Sequence, residues 1–263
     1  MTARAAQRVS AADHASVCRT GVRHVGAEVA AREEGAVEDP MAAASRGQVL
    51  ARYHHLREIS KRHHSKLLDF LSRDVVLDHA RQLGLAVGRT LVLDRMDDLT
   101  LAFDLAIYTA PPGRSRAIGR YARSVRLAPG SDEALVLEAM CRAQFSVLRV
   151  ERRHETAGLI VRDVLRGIDL WLVDQGLESS FSDGYMLATR LFTPECFAMT
   201  AGVNVPIARA MLEAVVDEVP QVRRKTPADG SDDRRFAEAI YRFALASGVM
   251  DRVTYQDPIR EAS

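Results

Sequence analysis

The sequence predicts an α+β protein with a helical N-terminal region, a small five-stranded antiparallel β-barrel or rolled sheet, and C-terminal helices. In the middle of the chain, between residues 144 and 206, short apolar runs are broken by Gly, Asp and Ser about every ten residues, a spacing typical of consecutive antiparallel strands. On both sides of this stretch, apolar residues recur at intervals of three and four, as on one face of a helix. Because five short strands expose two edges, we expect the module to curl or close into an SH3-like or OB-like barrel.

The N-terminal stretch differs in composition from the rest. Residues 1–45 are rich in Ala and Arg and have no large aliphatic residue beyond Val, so we expect a disordered tail. Met41 is an alternative start, because the first dense apolar pattern begins only at Val49. The rest of the chain divides into a helical region (46–143), the β-module (144–206) and C-terminal helices (207–263) with a polar linker near 219–231.

Composition limits the classes of protein that the chain can belong to. The 263 residues carry a net charge of +1, which gives no global reason for a nucleic-acid or membrane partner. The three cysteines, Cys18, Cys141 and Cys196, are far apart and form no CxxC pair, so neither a disulfide framework nor a zinc knuckle is indicated. There is no run of about 18 apolar residues. We therefore expect a cytoplasmic protein without a membrane partner.

Several helix boundaries carry local signals. Ser72 and Ser131 each precede an acidic first turn and an apolar pattern, which predicts N-caps, and Ser231 is a third candidate before the last helix. Gly84 and Gly248 follow the last periodic residues and predict helix ends. The apolar stripe of the last helix leaves two options open, packing on the N-terminal helices or on a second copy of the protein.

The first helix, predicted for residues 46–71, contains the most unusual composition in the chain. Its segment RYHHLREISKRHHSK sets many cations against one acid, Glu58, and favours a contact surface for phosphates or an acidic partner. A solvated helix face explains the same pattern. A metal site is disfavoured because no two histidines have the i, i+4 spacing. The candidate residues of the basic contact surface are Arg52, His55, Arg57, Lys61, Arg62 and Lys66.

The β-module offers a second candidate surface. A strand face that binds nucleic acid needs exposed aromatics flanked by cations. The aromatic candidates are Trp171, Phe181, Tyr185 and Phe192, and the nearby cations are Arg162, Arg166 and Arg190. We expect Trp171 to be a core residue. Asp163, Asp169 and Asp174 recur like ligands of a hard cation, but acids are common at strand ends and turns.

Three segments resemble a group of uncharacterised bacterial proteins. They are LARYHHLREIS with LLDFLSRDVVLDHARQLGL, PGSDEALVLEAMCRAQFSVLRVE, and GLIVRDVLRGIDLWLVDQGLESSFSDGYMLATRL ending in FAMTAG. The resemblance implies a helical region followed by a small β-domain. Related β-segments occur beside SEC-C metal-binding tails, but this chain lacks the cysteine-rich SEC-C signature, so the zinc is not carried over. The resemblance implies no activity, catalytic residue or ligand.

The sequence contains no GxxxxGK[ST], GxSxG, HExxH or CxxC motif and no GxGxxG after a strand, so we assign no catalytic residue, metal or cofactor. Three hypotheses for function follow. The first is a non-catalytic binding or adaptor protein that contacts a protein or nucleic acid through the basic helix or the β-module. The second is a hydrolase-type enzyme that brings His54, His63 or His79 together with Asp163 or Asp174. The third is a structural or assembly role through the terminal helices, including a homo-oligomer.

Overall fold

The computed structural model describes residues 44–111, 113–180, 182–219 and 234–252, and of residues 251 and 252 it describes the backbone only. The predicted tail up to residue 43, the linker from residue 220 and the candidate cap Ser231 lie outside these ranges. The described residues belong to one compact unit that begins at Ala44. The division of the chain into four ranges stays a prediction.

Eight α-helices are found in the described ranges, and the sequence predicted the starts of several. Three of them begin at a serine whose hydroxyl accepts a backbone hydrogen bond: Ser45 from Gln48, Ser72 from Val75 and Ser131 from Ala134. The N-caps predicted at Ser72 and Ser131 are therefore confirmed. The helices are α1 (Arg46–Phe70), α2 (Arg73–Gln82), α3 (Leu99–Tyr108), α4 (Ala117–Ser124), α5 (Asp132–Cys141), α6 (Gln175–Ser180), α7 (Arg209–Glu218) and α8 (Arg234–Ser247).

The five predicted strands form one antiparallel sheet in the order β5-β4-β3-β6-β7, and a short hairpin lies apart from it. The longest strand is central and pairs with both of its neighbours in the sheet. The α+β class and the antiparallel arrangement are confirmed. The hairpin strands are β1 (Ala86–Val87) and β2 (Thr90–Leu91), and the sheet strands are β3 (Gln144–Arg153), β4 (Leu159–Asp163), β5 (Ile168–Leu172), β6 (Met186–Phe192) and β7 (Met199–Pro206).

The prediction of a closed barrel was wrong. Between the outer strands β5 and β7, the described residues form only an isolated parallel bridge, from Leu172 at the end of β5 to Ala198 just before β7. In this bridge the Val173 amide donates to the Ala198 carbonyl at 3.0 Å. The sheet therefore curls until its edges meet at one point, without a continuous ladder between them. The physical reason is the helical layer: it fills one face of the sheet with side chains, so closure is not needed to bury that face.

Alternate residues of β3 enter two different cores, as the strand periodicity requires. Phe145 and Val147 pack with α2, α3, α7 and α8 in the larger core. Leu148 and Val150 lie on the opposite face, in a smaller core built by the sheet with Leu177 of α6. The sheet is thus buried on both sides.

Two further expectations are settled by the structure. The segment after β5 forms α6, because the Asp174 carboxylate accepts the Leu177 amide at 3.2 Å and caps the helix. The stripe of α8 packs within its own chain: Phe236 and Tyr241 meet the Phe145 ring edge-on, with centroids 5.9 and 5.5 Å away. Gly248 follows α8 with a φ of 65°, as its predicted role at the helix end requires.

Candidate functional site

Arg52 and His55, two of the predicted contact residues, bind acids of their own chain. The guanidinium of Arg52 donates to both carboxylate oxygens of Asp132 at 2.6 and 2.7 Å, and its Nε donates to Glu195 at 3.0 Å. The imidazole Nε2 of His55 lies 2.8 Å from Asp132. The hydrogen bond from Arg52 lowers the pKa of Asp132 to about 2. Arg52 therefore connects α1 to the start of α5 and to the segment that precedes β7.

Arg57 also binds groups of its own chain. It donates to the backbone carbonyl of Thr200 on β7, and its Nη2 lies 3.9 Å from Asp174. The Thr200 hydroxyl donates to the same carboxylate at 2.7 Å. Arg57 thus joins α1 to the edge of the sheet, beside the start of α6.

The other three predicted residues, Lys61, Arg62 and Lys66, are exposed on the C-terminal half of α1. Lys61 pairs with Glu58 one turn earlier at 2.9 Å, and both side chains are about half exposed. Arg62 lies 3.6 Å from Glu133 of α5. The predicted surface is therefore divided into an N-terminal half that binds other elements and a C-terminal half that faces outward.

A cavity of about 250 Å³ opens beside this C-terminal half, between α1, α4 and the segment that leads into α5. We call it the basic cleft. Its wall combines apolar side chains, three cations, one acid, and the polar rings of a histidine and a tyrosine. The lining residues are Ile59, Arg62, His63, Lys66, Tyr121, Val125, Arg126, Leu127 and Glu133.

A buried histidine and tyrosine form the inner wall of the basic cleft. Nε2 of His63 lies 3.1 Å from the backbone carbonyl of Glu133, which can only accept, so this nitrogen carries the proton and donates. In the neutral ring Nδ1 then accepts from the Tyr121 hydroxyl at 3.1 Å. Burial lowers the pKa of His63, and the nearby cations Lys66 and Arg62 lower it further. His63 is therefore neutral at pH 7.

The cations of the basic cleft outnumber its acids. Lys66 and Arg126 are both exposed, and neither forms a hydrogen bond or ion pair with any residue that the structure describes. Arg62 shares the carboxylate of Glu133. Three cations and one carboxylate leave a net charge of +2 in a small cavity, an arrangement that attracts anions.

Sequence reasoning found part of this site. Arg62 and Lys66 were predicted contact residues, whereas Arg126 and Tyr121 were not. The missed signal was the basic run GRSRAIGRYARSVR, residues 113–126, whose apolar positions Ile118 and Tyr121 fix α4 against its neighbours. Only the packing of α4 beside α1 shows that this run and the basic helix border the same cavity.

The β-module does not offer the expected stacking surface in the described residues. Phe192 is buried, and Trp171 is half-buried, not a core residue; its ring stacks on His154 with centroids 4.2 Å apart. Phe181 lies outside the described residues. The three nearby arginines are each paired with an acid: Arg162 with Asp169, Arg166 with Asp163 and Arg190 with Asp104.

The residues of the hydrolase hypothesis do not come together in the contacts of the described residues. Asp163 accepts the backbone amides of Leu165 and Arg166 in the turn after β4. Asp174 caps α6 and binds Thr200. Both carboxylates therefore stabilise the backbone, and among the described residues neither forms a hydrogen bond or ion pair with a candidate histidine. No group of three His, Cys, Asp or Glu side chains within the described ranges is arranged to hold a metal ion.

Fold and site together define an α+β protein with a helical layer on an open antiparallel sheet and a basic cleft beside its first helix. The chain belongs to a family of unknown function, DUF7986, whose model matches residues 48–250. This range includes the basic cleft and the whole sheet. No curated protein and no solved structure matches the chain. Among the helices that the structure describes, none is long and apolar enough to cross a membrane.

Proposed function

We propose that this protein is a non-catalytic binding protein whose basic cleft holds an anionic group of a partner protein. The observation that carries the proposal is the pair Lys66 and Arg126. Both are exposed cations that line one cavity, and neither forms an ion pair with any described residue. Like charges in a confined space repel each other, and a bound anion would relieve that repulsion.

A compact anionic group fits the cleft better than a strand of nucleic acid does. Binding along a nucleic-acid backbone uses a groove of cations together with aromatic side chains on which bases stack. In the described residues, Arg52 and Arg57 of α1 bind groups of their own chain. Arg162, Arg166 and Arg190 of the β-module are paired with acids. Lys66 and Arg126, by contrast, line one cavity of about 250 Å³, which favours recognition of a single group.

The assembly hypothesis loses its main support in the structure. The apolar stripe of α8, formed by Phe236, Ile240, Phe243 and Ala244, was the candidate surface for a second copy. Phe236, Ile240 and Ala244 are buried in the core of the same chain, and only Phe243 of the stripe is exposed, at 38%. The binding hypothesis does not depend on the oligomeric state.

The proposal includes a cytoplasmic location. Cys141 is a free, half-buried thiol, and free thiols are usual in proteins of a reducing compartment. The bacterial origin and the relation to β-segments found beside SEC-C motifs, both implied by the resemblance, belong to the same proposal. Neither adds a ligand to the chain.

The test compares two double variants by their retention on a heparin column. Lys66→Gln with Arg126→Gln removes the unshared cations of the cleft, whereas Arg81→Gln with Arg89→Gln removes the same charge from exposed pairs outside it. We expect the cleft variant to elute at clearly lower salt than wild type and the control variant to elute with wild type. Equal shifts for both variants would show attraction by overall charge alone and overturn the proposal.

A second measurement addresses nucleic acid directly. Fluorescence anisotropy with a labelled single-stranded oligonucleotide should show weak binding that disappears at about 0.15 M salt. Tight binding that persists at this salt and survives the cleft substitutions would place a nucleic-acid surface elsewhere and contradict the proposal. Circular dichroism of each variant confirms that the fold is intact.

A further inference from the structure

The charge of the basic cleft matches one class of anion. Arg62, Lys66 and Arg126 supply three positive charges, and Glu133 removes one. His63 adds none at pH 7, because burial lowers its pKa and both ring nitrogens are held by Glu133 and Tyr121. The net charge of +2 is neutralised by a dianion, whereas a carboxylate or a phosphodiester carries only one negative charge.

The size and the wall of the cleft indicate what carries that dianion. A volume of about 250 Å³ is more than the five heavy atoms of a phosphate group need, yet it is below the range of about 300–1,000 Å³ that is usual for drug-sized ligands. Ile59, Val125 and Leu127 give one part of the wall an apolar character, and the Tyr121 ring adds an aromatic surface. A small apolar or aromatic group therefore fits beside the charged group.

The donors in the cleft suit phosphate oxygens. Guanidinium groups donate in a planar fork, and an ammonium group donates in three directions. Arg62, Arg126 and Lys66, which line the same cavity, therefore supply enough donors for several oxygens of one tetrahedral anion. Arg62 is the least available of the three, because it lies 3.6 Å from Glu133.

We propose that the basic cleft is a binding site for a dianionic phosphate monoester carried on a small apolar or aromatic group. This inference rests on the proposed function and narrows it to one ligand chemistry. The monoester has two sources, a phosphorylated side chain of a partner protein or a free small organic phosphate. Lys66 and Arg126 supply most of the charge, and the wall of Ile59, Val125, Leu127 and Tyr121 accepts the organic group.

The test is isothermal titration calorimetry at pH 7.5 with four probes. Phenyl phosphate is the dianionic aryl monoester, methyl phenyl phosphate is the matched monoanionic diester, benzoate is the aryl carboxylate, and inorganic phosphate lacks the organic group. We expect phenyl phosphate to bind at least about tenfold more tightly than each of the other three, a difference of about 1.4 kcal/mol. These comparisons use the wild-type protein alone.

Variants then locate the site. Lys66→Gln and Arg126→Gln should each weaken phenyl phosphate binding about tenfold, and Arg81→Gln on α2 should leave it unchanged. A peptide with a phosphorylated side chain distinguishes the sources: tighter binding than phenyl phosphate indicates a partner protein, and weaker binding indicates a small organic phosphate. Either result supports the monoester site, but the second would overturn the part of the proposed function that names a partner protein as the source of the anion.

Failure of this inference can be separated from failure of the proposed function. If phenyl phosphate binds no more tightly than the diester or benzoate, while heparin retention still depends on Lys66 and Arg126, the cleft binds anions but is not a monoester site. If no probe binds and heparin retention is indifferent to both substitutions, both proposals are wrong.

Discussion

Arg190 of β6 and Asp104 of α3 form a two-point ion pair in the interior of the protein. Nε and Nη2 of Arg190 each donate to a different oxygen of Asp104 at 2.9 Å, and the two side chains are only 2% and 5% exposed. The Tyr241 hydroxyl of α8 donates to the same carboxylate at 2.9 Å. Burial alone would lower the pKa of Arg190, but Asp104 raises it above its ordinary value. The pair joins the sheet to α3 and α8.

We expect Asp104→Ala to lower the free energy of unfolding by about 3–5 kcal/mol, because the substitution leaves a buried guanidinium without its counter-charge. The matched control is Asp78→Ala, which breaks the exposed Arg81 pair and should cost less than about 1 kcal/mol. Urea denaturation followed by circular dichroism measures both. A loss of less than about 1 kcal/mol for Asp104→Ala would contradict the assigned role of the pair.

A second prediction concerns His64 and pH. Its Nδ1 lies 3.0 Å from the Ser60 carbonyl, which can only accept, so Nε2 accepts from the Tyr108 hydroxyl at 2.8 Å and the ring is neutral. Burial lowers the pKa of His64 to about 4, whereas the unfolded chain has a pKa near 6.5. The unfolded state therefore takes up the proton first, and stability is lost as the pH falls from about 6.5 to 4.

The contribution of His64 to this loss is at most about 3 kcal/mol. His64→Gln cannot titrate, so the variant should lose less stability than wild type between pH 7.5 and pH 4.5. Urea midpoints at the two pH values give the comparison. Parallel losses in wild type and variant would show that His64 is not the titrating group.

A third prediction compares two glycines with the same backbone conformation. Gly158, between β3 and β4, has a φ of 78°, and a Cβ there would clash with the backbone carbonyl oxygen of Leu172. Gly184 has a φ of 81°, but a Cβ there would meet nothing within 4 Å. Of these two glycines, therefore, only Gly158 lies where two backbone segments pass close to each other, at the end of β5.

We expect Gly184→Ala to cost about 1–2 kcal/mol for the left-handed backbone alone. Gly158→Ala should cost about 3 kcal/mol or more, because the clash adds to the same backbone cost. Thermal unfolding of the two variants measures the difference. Equal losses would mean that the chain near Leu172 moves away without cost.

A fourth prediction tests the role of Arg52 through its partner. The pKa of Asp132 is about 2, with the Arg52 hydrogen bond as the largest cause and the His55 hydrogen bond as a smaller one. Arg52→Gln should raise this pKa toward its ordinary value of 3.8, and His55→Gln should raise it less. Carbon-detected NMR titration of the Asp132 carboxylate measures both changes. The opposite ranking of the two variants would contradict the structure.

Local structure was largely predictable from the sequence, because its signals lie within a few residues of one another. Ser72 and Ser131 cap helices through amides three positions later. Leu159 and Val161 alternate with half-buried neighbours in β4, as their spacing indicates. Arg126 was not predicted as a site residue, because it lines the basic cleft together with residues of α1. Those residues lie about sixty positions earlier in the chain.

By itself the sequence determined the α+β class, the five strands and many of the helix boundaries, since each depends on hydrogen bonds and apolar spacing within a short segment. Only the tertiary structure decided that the sheet stays open, that Arg52, Arg57 and Arg190 hold elements together, and that Lys66 and Arg126 border one cleft. The reason is physical. A charged side chain either pairs with a group of its own chain or stays available to a ligand, depending on which groups packing places near it. Those groups lie far away along the chain, so the local sequence does not show them.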